Sequence, residues 1–377
     1  MATTGSEAGG TTVLTGRCAV LGACAMLLLS AAACAPGTAV GPAALGAGRP
    51  AYNSMISATD DRQSLAYIVE QRYGYSRTLM AVSSITANVR FSANAEAQFG
   101  VGAERNFVGN LVPLTGGLAY EDNPTISYLP LQGDQHLRQS LSPIPLDLVV
   151  LLFNESIQYK GSALTMLVER MNGASNLDFP PDPEAPAHLK FQRLVALVND
   201  LAWIDGVQFV QGAGEDRGFY LWLHDYASAH LSQTKELLDI LDIEGVEADG
   251  RDIYLPVALA PRAASPRGIA IQTRSVQGLA RIAATRVDVP QEDIDSGEAI
   301  TFPPTGPAGQ LINILRARER PTNAHVATPY RGWWFYIDAS DTISKAYFRI
   351  FQALLSVQIS GAMQGMNRAP VLTVPVN

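Results

Sequence analysis

Cysteine is nearly missing from this chain. Three occur in 377 residues, Cys18, Cys24 and Cys34, all in the first tenth. The rest of the chain has no thiol for a disulfide framework or a thiolate metal site. Positive charge is also scarce. Lys and Arg number 27 against 35 Asp and Glu, a net charge of −8, so no basic excess exists to neutralise a phosphate backbone and a nucleic-acid binder is excluded. Charged residues make up only 16% of the chain, which leaves a dry surface or one covered by a membrane or a partner. What is present is apolar material, 47% of residues, enough to bury a core and to exclude disorder over most of the length. The length itself gives a soft prior of two domains.

The apolar run over residues 18–33, CAVLGACAMLLLSAAA, carries no charge. It is shorter than the roughly 20 residues a spanning helix needs and has the size of a signal-peptide core running into small residues. The small residues end on a cysteine, in Ser30-Ala31-Ala32-Ala33-Cys34-Ala35-Pro36. This resembles a bacterial lipobox, in which the Cys is lipidated on sulfur and becomes the new N-terminus. It departs from that pattern by placing Ala where Leu is usual, and an ordinary secretory signal or an uncleaved anchor fits the same residues. The lipobox resemblance implies a palmitate-type acyl anchor at Cys34. Ala35 in the next position implies the outer membrane, with the body facing the periplasm. Residues 34–58, rich in Gly, Ala and Pro, read as a flexible tether.

In the body, residues 61–80 predict a helix. Over residues 85–101 every odd position is apolar and no even position is, the strongest period-2 signal in the chain. Such a strand would be about 55 Å long. Residues 106–120 are expected to return as its partner, making a long hairpin over 85–120, and 125–131 to follow as a third strand after Asn123-Pro124. Helices are expected over 134–141, from Ser142-Pro143 onward, and over 162–171. Residues 172–187, NGASNLDFPPDPEAPA, read as a domain boundary. Beyond it come a helix over 186–203, strands near 206–211 and 218–224, a helix over 228–243, and strands near 252–259 and 267–273. A Ser275-capped helix, strands near 311–317 and 324–338, and an Asp341-capped helix complete the order. The expected organisation is a signal peptide at 1–33, a tether at 34–58, an N-terminal α+β region at 59–185 and a C-terminal one at 186–377. The fold class is α+β: antiparallel sheet layers with helices packed on one face, plus the long N-terminal β-hairpin.

Two stretches are similar to a known group. One runs from Asn123-Pro124-Thr125-Ile126-Ser127-Tyr128 to Pro130-Leu131-Gln132-Gly133; the other is Tyr330-Arg331-Gly332-Trp333-Trp334-Phe335-Tyr336-Ile337-Asp338. They resemble a family of Gram-negative predicted lipoproteins or exported proteins with no assigned activity. The resemblance implies export and carries no catalytic residue across.

Motifs for chemistry are weak. Ser232, Gln233, Thr234 and Lys235 match S-x-x-K, but no K-T-G occurs and the Ser falls inside an expected amphipathic helix. No G-x-S-x-G is present. Gly212 to Gly218 has an acidic centre and reads as a hairpin turn rather than a dinucleotide loop. His224 and His230 are spaced too far apart for one helical face, so no metal is expected, and no cofactor. The aromatic segment alternates, with Trp333, Phe335 and Ile337 on one side and Tyr330, Trp334 and Tyr336 on the other. The second set is a candidate interaction surface; a central strand covered on both faces explains the same pattern. The expected function is that of a lipid-anchored binding or scaffolding component, non-catalytic. Its partners are the membrane, through the N-terminal lipid, and a protein or further copies of itself. Two alternatives stand beside it: a subunit of an oligomeric outer-membrane pore or secretion assembly, suggested by the hairpin, and a periplasmic enzyme with a dispersed site.

Overall fold

A computed structural model describes residues 37–75, 79–86, 89–96, 115–122, 125–131, 134–155, 160–180, 182–212, 217–226, 229–365 and 372–375. The signal segment and Cys34 lie outside the described residues. The chain divides into two compact units, residues 1–60 and residues 61–377. In the first unit the described residues belong to helix α1 (Gly37–Arg72). The tether expected over 34–58 is corrected accordingly, because it is helical from Gly37 onward.

In the second unit, the 61–72 part of α1 buries Leu65, Ile68 and Val69 at helical spacing. Strands β1 (Met80–Thr86), β2 (Val89–Glu96), β3 (Thr115–Asp122) and β4 (Thr125–Pro130) follow. β1 pairs antiparallel with β4, and β2 with β3. The hairpin expected over 85–120 is therefore present in its described part, while residues 97–114, holding the rest of the expected arms, lie outside it. The third strand expected over 125–131 is present as β4, and it pairs with β1 as β3 does with β2.

Helix α2 (Asp134–Leu141) ends where Ser142 Oγ donates to Arg138 O at 2.7 Å. Ser142 thus closes a helix instead of opening one. Pro143 bridges to Ser275, and the next helix, α3, runs over Leu146–Glu155. The helix expected over 162–171 is split into α4 (Lys160–Leu167) and strand β5 (Val168–Met171), followed by β6 (Ala174–Ser175). Helix α5 (Pro186–Trp203) has Pro in its first turn, where a missing N–H costs nothing. Strands β7 (Val207–Gln211) and β8 (Phe219–Leu223), helix α6 (Leu231–Ile240), and strands β9 (Ile253–Leu259) and β10 (Ile269–Thr273) come next.

These strands form a six-stranded sheet in the order β6-β5-β10-β9-β8-β7. β5 and β6 precede the expected boundary at 172–187 and the other four follow it, so one sheet crosses it. The expected split between 59–185 and 186–377 is corrected: both sides belong to residues 61–377. The α+β class holds. One sheet departs from the expected antiparallel pattern, because β9 and β10 run parallel. Val207, Phe209, Leu221, Leu223, Ile253, Leu255 and Val257 form the buried face of this sheet, with α5 against β6 and β7. The edge strand β7 is closed by Asn154: its Nδ2 donates to Phe209 O at 2.7 Å and its Oδ1 accepts from Phe209 N at 3.1 Å.

Helix α7 (Val276–Thr285) starts as expected at Ser275, whose Oγ accepts from Gly278 N at 3.0 Å. A short helix α8 (Gln291–Asp295) and a 3-10 turn (Pro307–Leu311) lead to β11 (Leu315–Ala317), β12 (Ala324–Tyr330) and β13 (Trp333–Asp338). The single strand expected over 324–338 is two strands of a hairpin. Arg331 and Gly332 turn the chain with φ of 50° and 79°, the two positive values that a tight hairpin turn uses. Helix α9 (Thr342–Gly365) begins at Asp341, whose Oδ1 accepts from Ser344 N at 2.9 Å and whose Oδ2 accepts from Ser344 Oγ at 2.6 Å. Burial acts to raise the Asp341 carboxyl, but the Ser344 bonds hold it below the ordinary carboxylate range. Strand β14 (Leu372–Pro375) pairs with β4.

Candidate binding surfaces

The aromatic strand β13 lies between β11 and β12. Alternation divides it as expected: Phe335 and Ile337 are fully buried, while Trp334 and Tyr336 keep contact with solvent. The register places Ala317 and Pro329 beside Trp334, and Leu315 and Ala327 beside Tyr336. These six residues make an outward apolar face on a small sheet whose other face is core.

Tyr330 does not belong to that face, which corrects the grouping of Tyr330, Trp334 and Tyr336. The turn at 331–332 sets Tyr330 directly opposite Trp333, and residues opposite each other share a face. Its ring packs on Tyr73 with centroids 5.2 Å apart, and Tyr73 OH donates to Asp293 Oδ2 at 2.6 Å. Arg331 lies over the same Tyr73 ring at 5.3 Å and pairs with Glu298. Tyr330 thus fastens the hairpin turn to the end of α1.

Arginines stack on both tryptophans of β13, two on the Trp333 side and one on the outward Trp334. Arg318 lies 3.5 Å and Arg316 5.0 Å from the centroid of Trp333, and Arg320 lies 5.7 Å from that of Trp334. Arg316 also approaches Asp288 at 3.4 Å. A guanidinium stacked on an indole keeps its N–H edge free for a carboxylate or phosphate.

A second outward aromatic face lies on the six-stranded sheet, and the sequence reading missed it. Trp222 on β8 stands opposite Tyr254 on β9, their rings parallel to within 7° and 5.9 Å apart. Tyr220 stands opposite Pro256. His224 stacks on Trp222 at 3.7 Å, and Trp222 Nε1 donates to Asp252 at 3.1 Å. The alternation in Ile253-Tyr254-Leu255-Pro256-Val257 is the signal that marks this face, since it puts Tyr254 and Pro256 outward on a strand.

The residues weighed for catalysis do not converge. Ser232 Oγ donates to its neighbour Gln233 on the exposed side of α6, and Lys235 is exposed as well. His224 bonds Asp225 at 3.1 Å. Gly212 and Gly218 close a β7–β8 hairpin, with Gly212 N donating to Gly218 O at 2.8 Å. Among the described residues no group of three or more His, Cys, Asp or Glu is placed to hold a metal ion, and no helix is long and apolar enough to cross a membrane.

One open cleft of about 520 Å³ lies under the 260–268 loop, lined by Asn172, Asp242, Glu244, Arg262 and Ser265 among others. Asn172 is fully engaged there, donating to Leu241 O at 2.6 Å and Gly268 O at 3.1 Å and accepting from Ala270 N at 2.8 Å. Its role is to pin the β9–β10 crossover. A second cleft of about 290 Å³ lies beside Gln63, Tyr67 and Met80. No protein-family model matches the chain, no curated protein matches it, and no solved structure matches it.

Proposed function

We propose that this chain is an exported lipoprotein, acylated at Cys34 and held at the outer membrane facing the periplasm, that acts as a binding or scaffolding component and not as a catalyst. The observation that carries the binding role is the outward face around Trp334 and Tyr336. It leaves two aromatic residues and Leu315 in contact with solvent on a sheet whose other face is core. Apolar surface held open in this way gains about 25 cal/mol per Å² when a partner covers it. Arg320, held over Trp334, suits a partner that presents a carboxylate beside an apolar patch, which points to another protein. The lipobox-like residues 30–36 and the family resemblance of two segments support export and anchoring.

Two experiments test the reading. Metabolic labelling with a palmitate analogue should mark the wild-type chain and leave Cys34→Ala unmarked; an unchanged acylated band in the variant rejects the anchor. A photo-crosslinking amino acid at Tyr336 in cells should give a discrete adduct. A correctly localised protein that forms no adduct rejects the binding face.

A further inference from the structure

Two arginines share one indole. Arg318 lies 3.5 Å and Arg316 5.0 Å from the centroid of Trp333, so their guanidinium carbons stand no further apart than those two distances together. The strand register explains the meeting. Arg316 stands opposite Phe335, on the side of β13 that Trp333 also occupies, and Arg318 follows two residues later on the same side.

The pair is not neutralised from within the chain. Arg318 is exposed and forms no ion pair among the described residues. Asp288 engages the Nε side of Arg316 at 3.4 Å, while Arg316 Nη1 is buried without a hydrogen-bond partner. Like charges this close repel, and a buried donor without an acceptor costs free energy. Carboxylates are at hand and do not answer this. Asp288 leaves Nη1 unserved, and Glu319, next to Arg318 in the chain, is exposed and pairs with neither arginine. With a net charge of −8 the chain has acids to spare, yet among the described residues none closes the pair.

We infer that Arg316, Arg318 and Trp333 form a binding site for a phosphate group. The indole holds Arg318 flat against its face and leaves the guanidinium N–H edge free to donate. Arg316 is partly exposed, so a small turn of its terminal torsions brings Nη1 out to a ligand while the backbone of β11 stays in place. A phosphate group has several acceptor oxygens and up to about two negative charges, so one group accepts from both arginines and removes their repulsion. A carboxylate has a single charge, and the one already beside Arg316 has left the pair open.

This site goes beyond the proposed binding role and does not rest on it. Trp334 and Tyr336, which carry that role, lie on the other side of β13, and Arg320 stacks there on Trp334. The neighbouring Arg331 is already engaged, paired with Glu298 over the ring of Tyr73. The chemistry is the same whether the phosphate is free, on a small molecule or in a lipid headgroup.

The test is calorimetric titration of the full chain, in detergent and phosphate-free buffer, with inorganic phosphate and with acetate at matched ionic strength. Saturable binding of phosphate is expected, with acetate weaker by about tenfold or more. Arg318→Gln breaks no ion pair among the described residues, so it should weaken phosphate binding by about tenfold and leave the thermal transition unchanged. Arg316→Gln should weaken it as much, and its melt is read alongside because it also loses the contact with Asp288. Arg320→Gln, on the other side of β13, should stay within about twofold of wild type. Glycerophosphoglycerol, a lipid headgroup without its chains, separates the sources. Tighter binding than inorganic phosphate assigns the site to a lipid headgroup; weaker binding assigns it to a free phosphate or a phosphate monoester. Failure of both phosphate compounds to bind overturns the inference, as does acetate binding equally well. Equal losses in Arg318→Gln and Arg320→Gln overturn it too, since they would mean diffuse attraction to positive charge.

Discussion

Arg274 donates through Nε to Asp178 at 2.6 Å, with 1% of its side chain exposed. The same guanidinium donates through Nη1 to the carbonyls of Thr165, Met166 and Val168 at 3.0, 3.1 and 2.7 Å, and through Nη2 to Asn176 O. It therefore takes the unpaired carbonyls at the C-terminus of α4 and ties them to the segment after β6. The other Asp178 oxygen accepts from Arg281 at 3.0 Å, and Asp178 O accepts from Gly306 N at 3.0 Å. A Cβ at Gly306 would come within 2.4 Å of Leu177 O, so the backbone packs there without room for a side chain.

Arg274→Ala should lower stability by about 3–5 kcal/mol, because it strips one oxygen of the Asp178 carboxylate and several buried carbonyls of their buried donor. Arg281→Ala, which removes the half-exposed partner, should cost no more than about 1 kcal/mol. Urea unfolding of both variants checks the ranking. Equal losses would mean that the buried guanidinium is no keystone.

This arrangement also explains what the sequence concealed. Ser275 and Asp341 were legible as caps because a cap acts on its own next turn. The strands at 253–259 and 333–338 were legible because alternation is local. The end of α4 at Leu167 was not, since the group that takes its carbonyls sits more than a hundred residues away. Residues 172–187 look like a linker, yet Asn176 and Asp178 are held inside, Asn176 donating to Thr165 O and Val168 O at 2.8 Å each. The misplacement of Tyr330 has a different cause. Arg331 is an unusual choice at positive φ, and without the familiar Asn-Gly signal the hairpin reads as one strand. The outward face survived with Trp334 and Tyr336; Trp222 and Tyr254 were missed because neighbouring strands, paired only in the fold, bring them together.

The 331–332 turn makes its own prediction. A Cβ on Gly332 would meet nothing within 4 Å, so Gly332→Val is opposed by conformation alone. At φ of 79° a β-branched residue should cost about 1–2 kcal/mol. Arg331→Asn should be neutral or stabilising in the backbone, because Asn tolerates this region, although it removes the Glu298 pair. Thermal melts of the two variants should move in the order Val below wild type, Asn near it. A Val variant with an unshifted midpoint would reject the turn.

Alkaline pH should unfold the protein through its buried phenols. Burial pushes Tyr67 up to about 12 from an ordinary value near 10, and burial raises Tyr347 and Tyr73 as well, Tyr73 with help from its bond to Asp293. Above pH 10 the unfolded chain releases these protons and the native chain keeps them, so stability is complete below pH 10 and falls as pH rises. Tyr67 alone should account for about 2 kcal/mol by pH 12. Urea unfolding between pH 8 and 11.5 reads the slope. Tyr67→Phe should flatten it while losing about 1 kcal/mol at neutral pH with the bond to Gln277. An unchanged slope would show that Tyr67 ionises freely.

The two faces of β13 should separate stability from binding. Phe335 is fully buried against the core, and Phe335→Ala should cost about 3–5 kcal/mol through lost burial and the cavity left behind. Trp334 and Tyr336 contact solvent on the other face, so Trp334→Ala and Tyr336→Ser should each change stability by about 1 kcal/mol or less. Trp334 also holds Arg320 over its ring, and its removal frees that guanidinium without breaking an ion pair described for it. If the outward face is where a partner docks, both variants should keep the wild-type melting transition and lose the crosslinked adduct. Variants that melt early would make the face part of the core, and variants that melt normally and still crosslink would move the docking site to the Trp222 and Tyr254 face.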